Sequence, residues 1–226
     1  MDIFSLSTDV LNHLMYNYLP LQDINSLLST HKSFHVFNTF QLNVIKNANR
    51  GWSKCITEGL LESCKLIYRS NILSGFPIDI NVCHEEVFRS SCEKGHLEIA
   101  KWLYILGIET KSPINIHEYD EYAFQHSCRN GHLDVAQWLY QVGIEINSPI
   151  NIINNGEGFR SSCYNGHVEV AQWLYQLSLK ISSPINIHGN NGISFRWSCG
   201  SGHLKVVKWL YELGLEINSP NSYSYV

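Results

Sequence analysis

The sequence predicts a mainly α-helical solenoid, about five helix-turn-helix repeats with projecting hairpin turns behind a small three-helix module. Three observations predict it. The segment Gly95-His96-Leu97-Glu98-Ile99-Ala100-Lys101-Trp102-Leu103-Tyr104 returns in close copies at Gly131, Gly166 and Gly202, with a worn copy at Gly59. From Gly59 onward the glycines step by 36, 36, 35 and 36 residues, a period that marks stacked repeats. Cys92, Cys128, Cys163 and Cys199 keep the same phase, as do Pro77, Pro113, Pro149, Pro184 and Pro220.

From Leu6 to about Ala48 the pattern is helical without a copy of the repeat. Ser7-Thr8-Asp9 supplies an N-cap before Val10, Leu11, Leu14 and Met15, which fall on one helical face. Pro20, with no N–H to donate, ends that helix. Leu21, Ile24, Leu27 and Leu28 form a second apolar series, and Phe34, Phe37, Phe40, Val44 and Ile45 a third. The segments Leu6-Ser7-Thr8-Asp9-Val10, Tyr18-Leu19-Pro20-Leu21-Gln22-Asp23-Ile24 and His31-Lys32-Ser33-Phe34 resemble an F-box. That resemblance implies docking onto a Skp-type adaptor of a cullin-RING ubiquitin ligase, with Leu6, Val10, Leu14, Leu19 and Ile24 as the adaptor-facing surface. The alternative is a helical cap that shields the first repeat from water, as solenoid ends require. The two readings are compatible. Residues 1–48 are assigned to this module, and Asn47-Ala48-Asn49-Arg50-Gly51 to a short linker.

The repeats follow as residues 49–83, 84–119, 120–154, 155–190 and 191–226, the last with a C-terminal tail. The first is degenerate, with Leu60 where the others have histidine, as terminal copies usually are. In each of the others a short first helix places phenylalanine four residues before cysteine on one face: Phe88 and Cys92, Phe124 and Cys128, Phe159 and Cys163, Phe195 and Cys199. The serine beside each cysteine is small enough for close helix approach. Glycine then ends the helix in the left-handed conformation that a residue without Cβ adopts most easily. The second helix is apolar nearly all round, leaving Glu98, Lys101 and Ile105 and their equivalents for solvent, which places it among neighbours. Pro-Ile-Asn-Ile follows at Pro113, Pro149 and Pro184, and Asn154-Asn155-Gly156 and Asn190-Asn191-Gly192 are tight-turn signals in the tips.

Helix, glycine, helix and projecting turn at this period resemble ankyrin repeats, carried most specifically by Gly95-His96-Leu97-Glu98-Ile99-Ala100-Lys101-Trp102-Leu103-Tyr104 and covering about three quarters of the chain. The resemblance implies an ankyrin-repeat solenoid that binds a protein partner through its concave face and hairpin tips. Two departures stand out: a period above the family's ~33 residues, and Glu86-Val87-Phe88-Arg89 in place of Thr-Pro-Leu-His. The dialect, with Trp-Leu-Tyr and Ser-Cys in every full copy, resembles the ankyrin arrays of giant DNA viruses, some of which also carry an F-box. A plain ankyrin binding or decoy protein, its N-terminal helices serving only as a cap, is the alternative.

Composition narrows the partners. Net charge is −4, from 16 Lys+Arg against 20 Asp+Glu, so no surplus positive charge is available for a phosphate backbone, and nucleic acid is not expected. No run approaches the ~20 apolar residues of a membrane span, and the amino terminus lacks a secretory pattern. A cytoplasmic protein is expected, in the host cytoplasm if the chain is viral. The phased cysteines lie too far apart for disulfides, since neighbouring stacked helices are roughly 8–10 Å apart and bridged Cα atoms need about 7 Å or less. They read as reduced, buried thiols.

The same spacing argues against zinc shared among His96, His132, His167 and His203 and the phased cysteines, because ligands of one ion sit within ~2.3 Å of it. These histidines read as structural residues at helix starts. No phosphate loop, nucleophile elbow or metalloprotease pair occurs, and Cys83 beside His84 is weak support for thiol catalysis. Neither an enzyme nor a cofactor is expected. The Trp/Tyr pairs at 102/104, 138/140, 173/175 and 209/211 follow the apolar face and read as core. The binding surface is then sought where the copies differ: Arg89, Ser90, Gln125, His126, Arg160, Ser161, Arg196 and Trp197 on the first helices, and Tyr119, Asp120, Glu121 and Tyr122 on the most acidic tip. Trp197 is the expected anchor, an exposed tryptophan where other copies have Ser or His.

Overall fold

The computed structural model describes residues 55–73, 80–153 and 156–217. Leu6, Val10, Leu14, Leu19 and Ile24 lie outside them. The chain forms two compact units, residues 1–83 and 84–226. In the first, α1 (Leu61–Leu73) follows Gly59, whose φ is +73°. Ile56 and Cys64 are buried, and burial, followed by the neighbouring Cys55, pushes the Cys64 thiol up to about 12.

The second unit is a row of antiparallel helix pairs. Its helices are α2 (Ile80–Glu93), of which residues 84–93 belong to this unit, and α3 (Leu97–Glu109), α4 (Glu118–Arg129) and α5 (Leu133–Glu145), α6 (Glu157–Tyr164) and α7 (Val168–Lys180), then α8 (Gly189–Gly200) and α9 (Leu204–Ile217). The first helices stack in a line, α4 on α6 and α6 on α8, and α7 packs on α9 in the layer behind. The described residues contain no strand. The projecting segment is an extended piece whose two isoleucines turn inward, Ile114 and Ile116 in one copy and Ile150 and Ile152 in the next, all buried.

Each first helix ends as its glycine dictates. Gly95 N–H donates to Cys92 C=O at 3.2 Å and His96 N–H to Ser91 C=O at 2.8 Å, and the same two bonds close the helices ending at Gly131, Gly166 and Gly202. This left-handed closure satisfies carbonyls that a helix end otherwise leaves unpaired. A second constraint acts at three of these glycines. A Cβ on Gly95 would meet the His132 ring at 2.4 Å, one on Gly131 the His167 ring at 2.4 Å, and one on Gly166 the His203 ring at 2.5 Å. The histidine of each repeat therefore lies against the glycine of the repeat before it. His132 also donates to the Glu93 carbonyl and His167 to that of Arg129. The histidines are structural, as expected, and the structure adds that they bridge neighbouring repeats.

The core repeats with the sequence. Phe88, Phe124 and Phe159 are buried with Cys92, Cys128 and Cys163. The serine preceding each cysteine is wholly buried, and its hydroxyl returns to its own helix: Ser91 to Phe88 C=O at 2.7 Å, Ser127 to Ala123 C=O at 2.7 Å, Ser162 to Phe159 C=O at 2.8 Å. A serine is thus small enough for the helix contact and leaves no polar group unpaired. The tryptophans lock successive repeats together. Trp138 lies 6.2 Å from Phe88 and 6.0 Å from Tyr104, Trp173 6.2 Å from Phe124 and 6.3 Å from Tyr140, and Trp209 6.2 Å from Phe159 and 6.3 Å from Tyr175. Each of these indoles is seated between a phenylalanine and a tyrosine of the preceding copy, edge to face with the tyrosine and inclined at 54–63° to the phenylalanine, favoured aromatic geometries. One cysteine departs from the expected burial: Cys199, in the last first helix, is exposed.

Candidate protein-binding groove

The first helices carry Arg89, Gln125, Arg160 and Arg196 at equivalent positions, so stacking sets these side chains in a row. The most elaborated part of the row lies between α2 and α4. Here Tyr119, Asp120 and Glu121 all adopt positive φ, at 50°, 54° and 67°. Left-handed backbone costs a residue with a side chain roughly 1–2 kcal/mol, so the surrounding contacts must hold this turn. Glu121 does so from inside: its carboxylate accepts from His117 Nδ1 at 2.9 Å and from the Asn151 N–H at 3.2 Å. Gln125 Nε2 donates to the Asp120 carbonyl at 2.6 Å.

Pinned in this way, the turn holds Tyr119, 69% exposed, over the Arg89 guanidinium at 4.7 Å, with the Tyr122 ring 5.9 Å from the same group. Arg89 pairs with the Glu118 carboxylate. Tyr122 stacks on His126 at 3.8 Å with an interplanar angle of 14°, and its hydroxyl donates to Glu93 Oε2 at 3.3 Å. The result is a groove of ≈ 490 Å³ lined by Glu86, Arg89, Ser90, Glu93, Tyr119 and Tyr122.

Carboxylates and guanidinium groups both act on this groove. Burial, then a shared hydrogen bond and the charge of Glu118, raise the Glu85 carboxyl against the opposing pull of Arg89. Burial lowers His126 from its ordinary value, more than the facing Glu93 carboxylate raises it, which favours the uncharged ring. Burial and then Glu93 raise the Tyr122 phenol. Arg89 thus stands among Glu85, Glu86, Glu93 and Glu118, and the Arg129 charge also acts on Tyr122 and His126.

The other candidates are spread along the row. Arg160 pairs with Glu157 at 2.9 Å and lines a groove of ≈ 410 Å³ with Ile153, Phe159 and Ile193. Arg196 lines a pocket on the last repeat. Trp197 is 43% exposed, edge-on to Tyr164 at 5.6 Å. Two candidates belong to the interior. Ser161 is buried with its hydroxyl on the Gly158 carbonyl at 3.2 Å, and Glu121 is buried in the pinned turn just described. Neither side chain is exposed on the ridge. Conversely, Glu93 and Glu118 were not singled out in the sequence. The signal for Glu93 was present, since the residue after each phased cysteine reads Glu93, Arg129, Tyr164 and Gly200.

A row of antiparallel helix pairs with a ridge of variable side chains defines a stacked-repeat interaction scaffold. Residues 88–140 and 131–175 match a family model described as ankyrin repeats (many copies), and no curated protein matches the chain. Residues 88–175 thus carry ankyrin repeats, and the fold class is a mainly α ankyrin-repeat solenoid. Ankyrin repeats indicate a protein–protein interaction scaffold, a role that is typically not enzymatic. Among the described residues no helix is long and apolar enough to cross a membrane.

Proposed function

We propose that the array binds a protein partner along the ridge of first helices and tips, and that the groove between α2 and α4 receives a basic side chain of that partner. The observation that carries this reading is the Tyr119 turn: three left-handed residues held by Glu121 and Gln125 present an exposed tyrosine beside four carboxylates. Strained backbone of this kind clusters where function requires a fixed geometry, and aromatic rings beside acidic groups suit a lysine or arginine. Arg89, Ser90, Tyr122 and His126 complete this site, Asp120 lies on its rim, and Gln125 positions the turn. Arg160, Arg196 and Trp197 extend the surface, with Trp197 as a second anchor. The test is mass spectrometry of proteins cross-linked to the intact chain, repeated with Tyr119→Ala, Glu93→Arg and Trp197→Ala. One protein lost selectively from all three folded variants supports the surface, and a partner retained by all three refutes it.

A second reading rests on the sequence of residues 1–48, whose resemblance to an F-box favours docking on a Skp-type adaptor through Leu6, Val10, Leu14, Leu19 and Ile24. The chain then recruits substrates to a cullin-RING ligase, in the host cytoplasm under the viral resemblance. Removing residues 1–48 abolishes adaptor capture while leaving ridge binding intact. Loss of both together, or of neither, contradicts this assignment.

A further inference from the structure

The second helices are polar along most of their outer face and apolar where they end. On α5 the exposed positions Asp134, Gln137 and Gln141 are polar, and on α7 so are Glu169, Gln172 and Gln176. Each helix then closes on exposed aliphatic side chains. Ile108 at the end of α3, Ile144 and Ile146 at the end of α5, and Leu179 and Ile181 at the end of α7 are all between 43% and 56% exposed. The two inner ends are held alike: Asn147 and Ser182 take φ +54° and +56°, Ser148 N–H donates to Gly143 C=O at 2.9 Å, and Ser183 N–H donates to Ser178 C=O at 3.0 Å. Because α5 and α7 each have a further helix pair on both sides, this exposure belongs to the face and not to an end of the row.

A single exposed aliphatic residue is ordinary, but an apolar row rimmed by polar residues marks an interaction surface. Stacking sets Ile108, Ile144 and Leu179 at successive positions of such a row, at the roughly 8–10 Å spacing of packed helices. The charges in the same row select its occupant. Glu145 stands between Ile144 and Ile146 in the sequence and Lys180 between Leu179 and Ile181, and both are exposed. Gln141 Nε2 donates to the Glu145 carboxylate at 3.1 Å. We propose that this face is a dimer interface between two copies of the chain, meeting in antiparallel register so that Glu145 of each copy faces Lys180 of the other.

A two-fold interface brings one patch against itself, so that whatever one residue meets also meets it in return. With the axis between the ends of α5 and α7 and perpendicular to the row, Ile144 opposes Leu179, Ile146 opposes Ile181 and Glu145 opposes Lys180, each pairing formed twice. Parallel rows would set Glu145 against Glu145 and Lys180 against Lys180, and an axis between α3 and α5 would set Glu109 against Glu145. Like charges across an interface exclude a register and opposite charges fix one. An axis between α7 and α9 pairs Lys180 with Glu216 but leaves Ile108 and Ile144 unopposed. On the flanks of the favoured register Glu109 and Glu216 are alike in charge, with Lys111 beside Glu109 in the sequence, so its centre carries the selection. None of these residues belongs to the ridge of first helices. A dimer therefore presents two ridges, which strengthens capture of a multivalent partner without any new contact.

Sedimentation velocity of the full chain over a concentration series tests the assignment. Reversible dimerisation is expected. Ile144→Asp and Leu179→Asp should each shift it to monomer with far-ultraviolet circular dichroism preserved, since both side chains are exposed. Glu145→Lys and Lys180→Glu should each weaken self-association by about tenfold or more. An equal mixture of those two variants should recover it, because every charge then faces its opposite, and the double variant should recover it for the same reason. A chain that stays monomeric at every concentration overturns the proposal, whether the face then takes another protein or none. So does a dimer that survives Glu145→Lys, or one that the mixture does not restore, since other residues or another register then hold it.

Discussion

The inner junctions and the last one use the same residues to different effect. At an inner junction the phenylalanine and cysteine of the first helix lie behind the next repeat, the tyrosine of the second helix lies under an indole, and the glycine turn is closed by a histidine ring. In the last repeat Phe195 is half-buried, and Cys199, Leu204 and Tyr211 are exposed. The residue types hardly change, so burial here is a property of the neighbour and not of the residue. A stacked array is stabilised by nearest-neighbour interfaces, and the energetic weight of each repeated position should follow its neighbour too.

Five experiments can break or sharpen that contrast. The largest effect is expected at the paired phenylalanines. Phe124→Ala should destabilise the array by about 3–5 kcal/mol in urea denaturation, while Phe195→Ala should cost no more than about half of that. Equal losses would mean the last junction is as well sealed as the others. Leu139→Ala, at a side chain with no exposed surface, should cost about 2–5 kcal/mol, and a change within about 0.5 kcal/mol, the usual size for a surface site, would misplace α5.

Next come the glycines. Gly131→Ala meets both a left-handed backbone and the His167 ring, whereas Gly202→Ala meets only the backbone, with nothing within 4 Å of its Cβ. The first should therefore exceed the roughly 1–2 kcal/mol of left-handed strain alone, and the second should equal it. A ranking in the opposite order would remove the histidine from the junction.

The smallest effect is a pH dependence. Burial lowers His126, His132 and His167 from the ordinary value of 6.5, for His167 with added repulsion from His132 and His203. The unfolded chain then binds protons that the folded array resists, so stability rises with pH across the window between the lowered values and 6.5. It is complete above that window and lost as pH falls through it. Thermal unfolding should show a lower Tm at pH 5 than at pH 7.5, and His132→Gln with His167→Gln should shrink the difference. An unchanged difference would assign the acid sensitivity to carboxylates. Thiol labelling gives an independent ranking: Cys199 should react in the native array, whereas burial raises the Cys128 thiol and shields it, so that residue should wait for unfolding.

Much of the scaffold was legible because a 36-residue period leaves few ways to bury the same apolar positions four times over. Gly95 and its copies as helix ends, the buried Phe88 and Cys92 faces and the structural histidines all follow from local pattern. The site was less legible. Variation between copies pointed to Arg89, Tyr119, Tyr122 and His126, which do converge, but it pointed equally to Ser161 and Glu121, which are interior. A residue varies for packing reasons as readily as for binding ones, and only its surroundings tell the two apart.

The sequence by itself determined the helices, their ends and the faces they hide, because 3.6-residue periodicity and glycine conformations act within a few residues. Tertiary structure alone decided that the Trp138, Trp173 and Trp209 indoles enter the previous repeat, that Glu121 holds a left-handed turn from inside, and that Cys199 faces solvent while Cys163 does not. Those outcomes depend on which side chains arrive from 30 or more residues away, and nothing in the local pattern encodes that arrival.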